Sequence, residues 1–128
     1  MSGFTLDAGA LIAFERNERA IVSLIARAYE RGDRVAVPAG VVAQTWRDGR
    51  RQVRLVRLLA AGTTEIVPLD DRAARSVGQL CGVAGVAGVA DVIDAAVVWC
   101  ARERGHAVLT SDPDDLLRLD PTLGIKIV

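Results

Sequence analysis

Short aliphatic runs alternate with segments of helical spacing along the whole chain, and this alternation limits the fold more than any other feature. Phe4 to Asp7, Arg34 to Val37, Thr64 to Val67, Ala107 to Thr110 and Ile125 to Val128 read as strands. Between them, apolar residues such as Ile21, Leu24, Ile25 and Ala28 recur at the spacing of a buried helix face. Strands followed by helices and then by further strands form a parallel sheet covered on both faces. The expected architecture is a three-layer α/β/α sandwich around a mainly parallel sheet of four to five strands. The 128 residues make one domain with room for a real core, and no linker or low-complexity segment interrupts them.

Local signals place the helices. Ala8 to Phe14 reads as a short helix, and the next is expected to stop near Gly32. Pro38 suits a first helical position, with Val41, Val42, Thr45 and Trp46 on the buried side of the helix it opens. Asp48-Gly49 is a turn, followed by an expected helix from Arg50 to Ala61 that Gly62 stops. Asp70 or Asp71 caps a helix running to about Leu80. Gly82 to Ala90 reads as a flexible loop, Asp91 to Arg104 as a helix with Asp91 as its cap, and Asp114 to Leu119 as a short helix.

The side-chain inventory narrows the chemistry. Aromatic residues are only 4% of a chain that is 51% hydrophobic, so the core must be aliphatic. Formal net charge is zero, so attraction to a polyanion must come from a local patch. Cys81 and Cys100 form no metal or redox motif and are expected as buried thiols in a reducing compartment. No signal peptide is evident, and the longest apolar run, Ala95 to Ala101, is too short to span a bilayer; a cytoplasmic location is expected. His106, the one histidine, enters a strand at the end opposite Asp112. It is expected to be structural or exposed, which disfavours histidine-based zinc sites and Ser-His-Asp triads.

Carboxylates remain as the chemical signal. Asp7 ends the first strand, Asp112 follows Ala107 to Thr110, and Asp91 and Asp94 open a long apolar helix. Strand ends and the following helix starts share one edge of a parallel sheet, where ligands bind. Asp is depleted in strands, so Asp7 needs a reason to be there. Asp91 and Asp94, three apart, share a helix face. Acids gathered on one edge repel one another unless a cation lies among them. A hard divalent ion, Mg²⁺ or Mn²⁺, is the simplest partner for such oxygen ligands.

These pieces in this order resemble the PIN-domain ribonucleases, most closely VapC toxins of toxin–antitoxin pairs, over essentially the whole chain. Phe4-Thr5-Leu6-Asp7-Ala8-Gly9-Ala10-Leu11-Ile12 is similar to the family's opening segment. Asp94-Ala95-Ala96-Val97-Val98 is similar to its third-acid helix, and Val108-Leu109-Thr110-Ser111-Asp112-Pro113-Asp114-Asp115-Leu116 to its closing segment. Two positions depart from the pattern. Gln44 stands where the family usually has glutamate, and Gly9 where it often has serine or threonine.

The resemblance implies a single PIN-like domain over residues 1–128 that hydrolyses RNA phosphodiester bonds as a metal-dependent endoribonuclease. Asp7, Asp94 and Asp112 would hold Mg²⁺ or Mn²⁺, with Asp91 as a further catalytic acid. Gln44 would orient a carboxylate or water, and Ser111 would contact a phosphate oxygen. Either Asp91 supplies the charge missing at Gln44, or metal binding is weaker and activity reduced. The alternative reading is a weakened or inactive PIN-like module that binds RNA or protein. A VapB-like antitoxin and a homodimer are implied partners. RNA approaching so acidic a site needs basic neighbours, and Arg47, Arg50, Arg51 and Arg54 are the candidates, with Arg57 on the same expected helix face. Trp46 is expected to be buried, with base stacking as its other role.

Overall fold

The structure, a computed structural model, describes residues 2–128. Its strands are β1 (Gly3–Leu6), β2 (Arg34–Pro38), β3 (Thr64–Val67), β4 (Ala107–Thr110) and β5 (Ile125–Ile127). Its helices are α1 (Ala8–Glu15), α2 (Arg19–Glu30), α3 (Ala39–Thr45), α4 (Val53–Ala60), α5 (Asp71–Ala84), α6 (Val89–Arg104) and α7 (Asp114–Leu119). The strands form one sheet in the order β3-β2-β1-β4-β5, and every pair is parallel. The sandwich expected from the alternation is therefore present, with five strands and no antiparallel pair.

Strand periodicity separates the two faces. Val35 and Val37 of β2 join Ile21, Leu24, Leu55 and Leu58 in one apolar cluster, whereas Ala36 between them packs with Val67 and Cys100. Each strand thus buries both faces, as a parallel sheet between helix layers must. Leu6, Leu11, Val35 and Leu109 are fully buried; each such side chain contributes about 1.5–3 kcal/mol. The aliphatic core follows from the composition. Both cysteines are buried and free.

Chain direction creates the edge that matters here. From β1 the chain moves outward to β2 and β3, then returns through α5 and α6 to lay β4 on the other side of β1. The strand order thus switches between β1 and β4. In open parallel sheets, the carboxyl ends of the strands at such a switch leave a crevice between diverging connections.

Four local expectations are corrected. α4 starts at Val53, not Arg50, because the Asp48 turn continues through Gln52: Arg50 N–H donates to Asp48 Oδ1 at 3.0 Å and Arg51 N–H to the Asp48 carbonyl at 3.0 Å. α5 continues to Ala84 and ends on Gly85 at φ 72°, so the expected loop shrinks to a short turn before α6. Pro38 closes β2 and precedes α3 instead of opening it. Trp46 leaves α3 with 40% of its surface exposed, and its ring lies over Gly49, where a Cβ would come within 2.8 Å of it. Among the described residues, no single helix is long and apolar enough to cross a membrane.

Candidate active site

Asp7 is placed by backbone and side chain together. Its N–H donates to the Leu109 carbonyl at 3.3 Å, which carries the β1–β4 pairing one residue beyond the strand. Its Oδ1 accepts from Ala10 N–H at 2.9 Å and caps α1. A strand end and a helix start therefore coincide on one carboxylate. Burial pushes this carboxyl up from its ordinary range, and the Asp112 charge adds to the rise; the Thr110 hydroxyl and the Ala10 N–H pull it back.

Asp94, in the second turn of α6, faces the same edge. Its pKa is pushed up to about 6, first by burial and then by the charges of Asp115, Asp7 and Asp91, against a lowering by Arg118. These couplings join Asp7, Asp91, Asp94 and Asp115 in one electrostatic cluster, and Asp112 joins it through Asp7. Asp112 stands exposed just past β4, held by its N–H to Thr110 Oγ1 at 3.1 Å. Ser111 overhangs Gly9: a Cβ at position 9 would lie 2.5 Å from Ser111 Oγ and 3.6 Å from Asp7 Oδ1. Glycine there leaves room for the serine hydroxyl beside Asp7.

Asp91 serves the start of α6. It is not the cap residue of α6 but sits three residues past Gly88, and its Oδ2 accepts the Gly88 N–H at 3.0 Å. Its Oδ1 lies 3.7 Å from Arg118 Nη2. Both of its oxygens are thus engaged, one by the Gly88 N–H and one by Arg118. Gln44 is half-buried on α3 and forms no side-chain hydrogen bond among the described residues; it shares a face with Gly40, which packs on Ile93 beside Asp94.

The expected arginine ridge is not a helix face. Arg50 and Arg51 lie in the turn before α4, 92% and 88% exposed, and both pair with Asp48. Arg47 Nη1 donates to the carbonyls of Ala43 and Trp46. Only Arg54 and Arg57 belong to α4, where they border a groove with Phe14, Val22 and Tyr29. Three residues that the sequence reading left out do reach the acids: Thr110, Asp115 and Arg118. Asp115 and Thr110 belong to the closing segment quoted above, and Arg118 follows Asp115 by one helical turn.

The donors at this edge are carboxylate oxygens, the kind a hard divalent ion prefers. Arg118 is the one cation the structure pairs with them among the described residues. As they stand, no three His, Cys, Asp or Glu side chains among the described residues close around a common point. Asp7 is committed to Ala10, and Asp112 extends into solvent. The expectation of three carboxylates converging within reach of one ion is therefore not met at coordination distance among the described residues. The chemistry of the donor set fits a divalent ion, and an exposed Asp112 can turn about its side-chain torsions at little cost.

By sequence, no protein-family model matches the chain and no curated protein does. Its fold is shared with solved structures. A structure of VapBC2 from Rickettsia felis, bound to a DNA fragment from its promoter, aligns over 100% of this chain and 99% of that one, with TM-score 0.69 at 14% identity. DNA-bound VapBC from Salmonella typhimurium aligns over 99% and 98%, with TM-score 0.66 at 19% identity. FitAcB from Neisseria gonorrhoeae aligns over 95% of both chains, with TM-score 0.62 at 17% identity.

Proposed function

We propose that this chain is a VapC-type PIN-domain toxin, a single domain over residues 1–128 that acts as a metal-dependent endoribonuclease. The observation that carries this reading is the acid cluster at the β1–β4 switch, where Asp94 is held at about 6 by burial and by Asp115, Asp7 and Asp91. A carboxylate so destabilised in its charged form gains most from a bound cation. The full-length likeness to VapBC and FitAcB structures supports the same reading.

Asp7, Asp94 and Asp112 would hold Mg²⁺ or Mn²⁺, with Asp115 completing the acid ring. The ion would supply an activated water and charge stabilisation on the attacked phosphate. The chain's own residues set the stage. Thr110 and the α1 N-terminus orient Asp7; Ser111 offers a hydroxyl beside it; Gln44 orients a carboxylate or water from α3. No protein nucleophile is required. A VapB-like antitoxin, a second copy of the chain and a cytoplasmic location complete the proposal.

The test is calorimetric titration of Mn²⁺ into wild type and Asp94→Asn, with RNA cleavage assayed in parallel. Binding and cleavage in wild type, both lost in Asp94→Asn, is the expected result. Gln44, standing where the resemblance would place a glutamate, favours the second reading, a module that binds RNA or protein without cutting it. Mn²⁺-independent RNA binding with no cleavage by wild type would select that reading and end the first.

A further inference from the structure

An acidic edge that cuts a polyanion must also hold it. RNA brings its own negative charge to Asp7, Asp94, Asp112 and Asp115, and a fixed cation within a phosphate's reach is needed to seat it. The arginines of the turn before α4 pair with none of these acids: Arg50 and Arg51 pair with Asp48, and Arg47 donates to backbone carbonyls.

Arg118 is placed differently. The segment that carries Asp112 runs directly into α7, which carries Asp115 and, three residues later, Arg118. Arg118 Nη2 lies 3.6 Å from Asp115 Oδ1 on its own helix and 3.7 Å from Asp91 Oδ1 on α6. An ordinary surface pair at i,i+3 accounts for the first contact and not for the second. Asp91 is itself fixed, because its other oxygen accepts the Gly88 N–H. The guanidinium is thus held at one nitrogen by two acids from different helices. It is half-exposed, at 59%, and donates no hydrogen bond to protein among the described residues. A guanidinium is always charged and carries several N–H donors. With Nη2 turned to the acids, Nη1 remains free to donate to a phosphate oxygen.

We infer that Arg118 is the phosphate-binding residue of this site: Asp91 and Asp115 flank its guanidinium at the rim, and its free Nη1 takes a backbone phosphate of single-stranded RNA. The inference rests on the nuclease reading and gives Asp91 a different task from the one its position in the sequence suggests. Asp91 supports the arginine and does not ligate the ion.

The test is fluorescence anisotropy of a short single-stranded RNA with wild type, Arg118→Gln and Arg118→Lys, in chelator so that nothing is cut, across a range of salt. Arg118→Gln is expected to weaken binding about tenfold and to reduce the slope of log affinity against log salt by about 0.7, the value for one phosphate contact on a single strand. Arg118→Lys should keep the slope while recovering only part of the affinity, since it retains the charge and loses the planar guanidinium. In cleavage assays with Mn²⁺, Arg118→Gln should raise KM while leaving kcat within a few-fold. Calorimetric Mn²⁺ affinity should be unchanged or tighter, because a competing cation is gone.

Unchanged affinity and slope in Arg118→Gln, with wild type binding and cutting RNA, would overturn the inference alone. Loss of Mn²⁺ binding in that variant would overturn it too, showing that Arg118 serves only to arrange the acids. If Arg118→Gln does not fold, Arg118→Lys decides: a reduced salt slope there counts against a phosphate contact by charge. Failure of wild type to bind or cut RNA would instead remove the nuclease reading beneath it.

Discussion

Asp94 is the residue whose surroundings are most at odds with its charge. In the folded chain its pKa is pushed up to about 6 from an ordinary 3.8, so folding favours the protonated form. The stabilisation is complete below about 3.8 and is lost as pH rises through about 6. The gap between those values corresponds to roughly 3 kcal/mol; solvent screening of a half-exposed group reduces this to about 1–2 kcal/mol. Asparagine imitates the protonated carboxyl. Asp94→Asn should therefore stabilise the metal-free protein by about 1–2 kcal/mol at pH 7.5 and by only a few tenths near pH 4. Urea unfolding at the two pH values measures both. A gain of equal size at each would mean that packing, and not charge, is what Asp94 disturbs.

At the scale of the element, α4 shows how a helix start is decided from outside its own sequence. Gln52, the residue before it, makes no cap bond to the helix; its side chain instead accepts from the N–H groups of Arg47 and Asp48 at 2.8 and 3.1 Å and donates to the Thr45 carbonyl at 2.7 Å. The unsatisfied N–H of Leu55 is taken by Glu15 Oε2, at the end of α1, at 2.7 Å. A carboxylate on a helix N-terminus gains from both the hydrogen bond and the helix dipole. Glu15→Ala should cost about 0.5–2 kcal/mol of stability, and Glu15→Gln, which keeps the accepting oxygen, distinctly less. Thermal melts of both variants check this. An alanine variant as stable as wild type would show that water replaces the cap without loss.

Across the whole molecule, the two ends of the sheet respond to pH in opposite senses. The acids gather where the strands end. At the strand entrances, His106 is 8% exposed, its Nδ1 lies 3.1 Å from Thr5 Oγ1, and its ring fills the space beside Gly3 where a Cβ would collide with it. Burial, followed by the charge of Arg104, holds the His106 pKa below its ordinary 6.5. Its contribution to stability is therefore present above about pH 6.5 and lost as pH falls through the folded value. Asp94 loses stability as pH rises over part of the same range, so the two offset each other in wild type. His106→Gln should lower stability at pH 7.5 through lost packing but flatten the acid-side loss that sets in below pH 6.5. A denaturation series that falls as steeply in the variant as in wild type would assign that loss to other groups.

Much of this was written in local sequence. The alternation of aliphatic runs with helical spacing determined a parallel sheet between helix layers, because each segment's period depends on few neighbours. The positions of Asp7 and Asp112 at strand ends determined that they share an edge, since parallel strands all end on one side. The start of α4 was not legible, because the carboxylate that caps it lies 40 residues earlier in the chain. Nor was the division of labour among the acids. Asp91 and Asp94 look equivalent as acids one turn apart, yet one contacts Gly88 and Arg118 while the other is half-buried among like charges. Asp115 and Arg118 joined the site only when α7 folded back beside α6. Which oxygen of a carboxylate is free, and which cation lies near it, depends on helices packed across the sheet, and tertiary packing alone decided that.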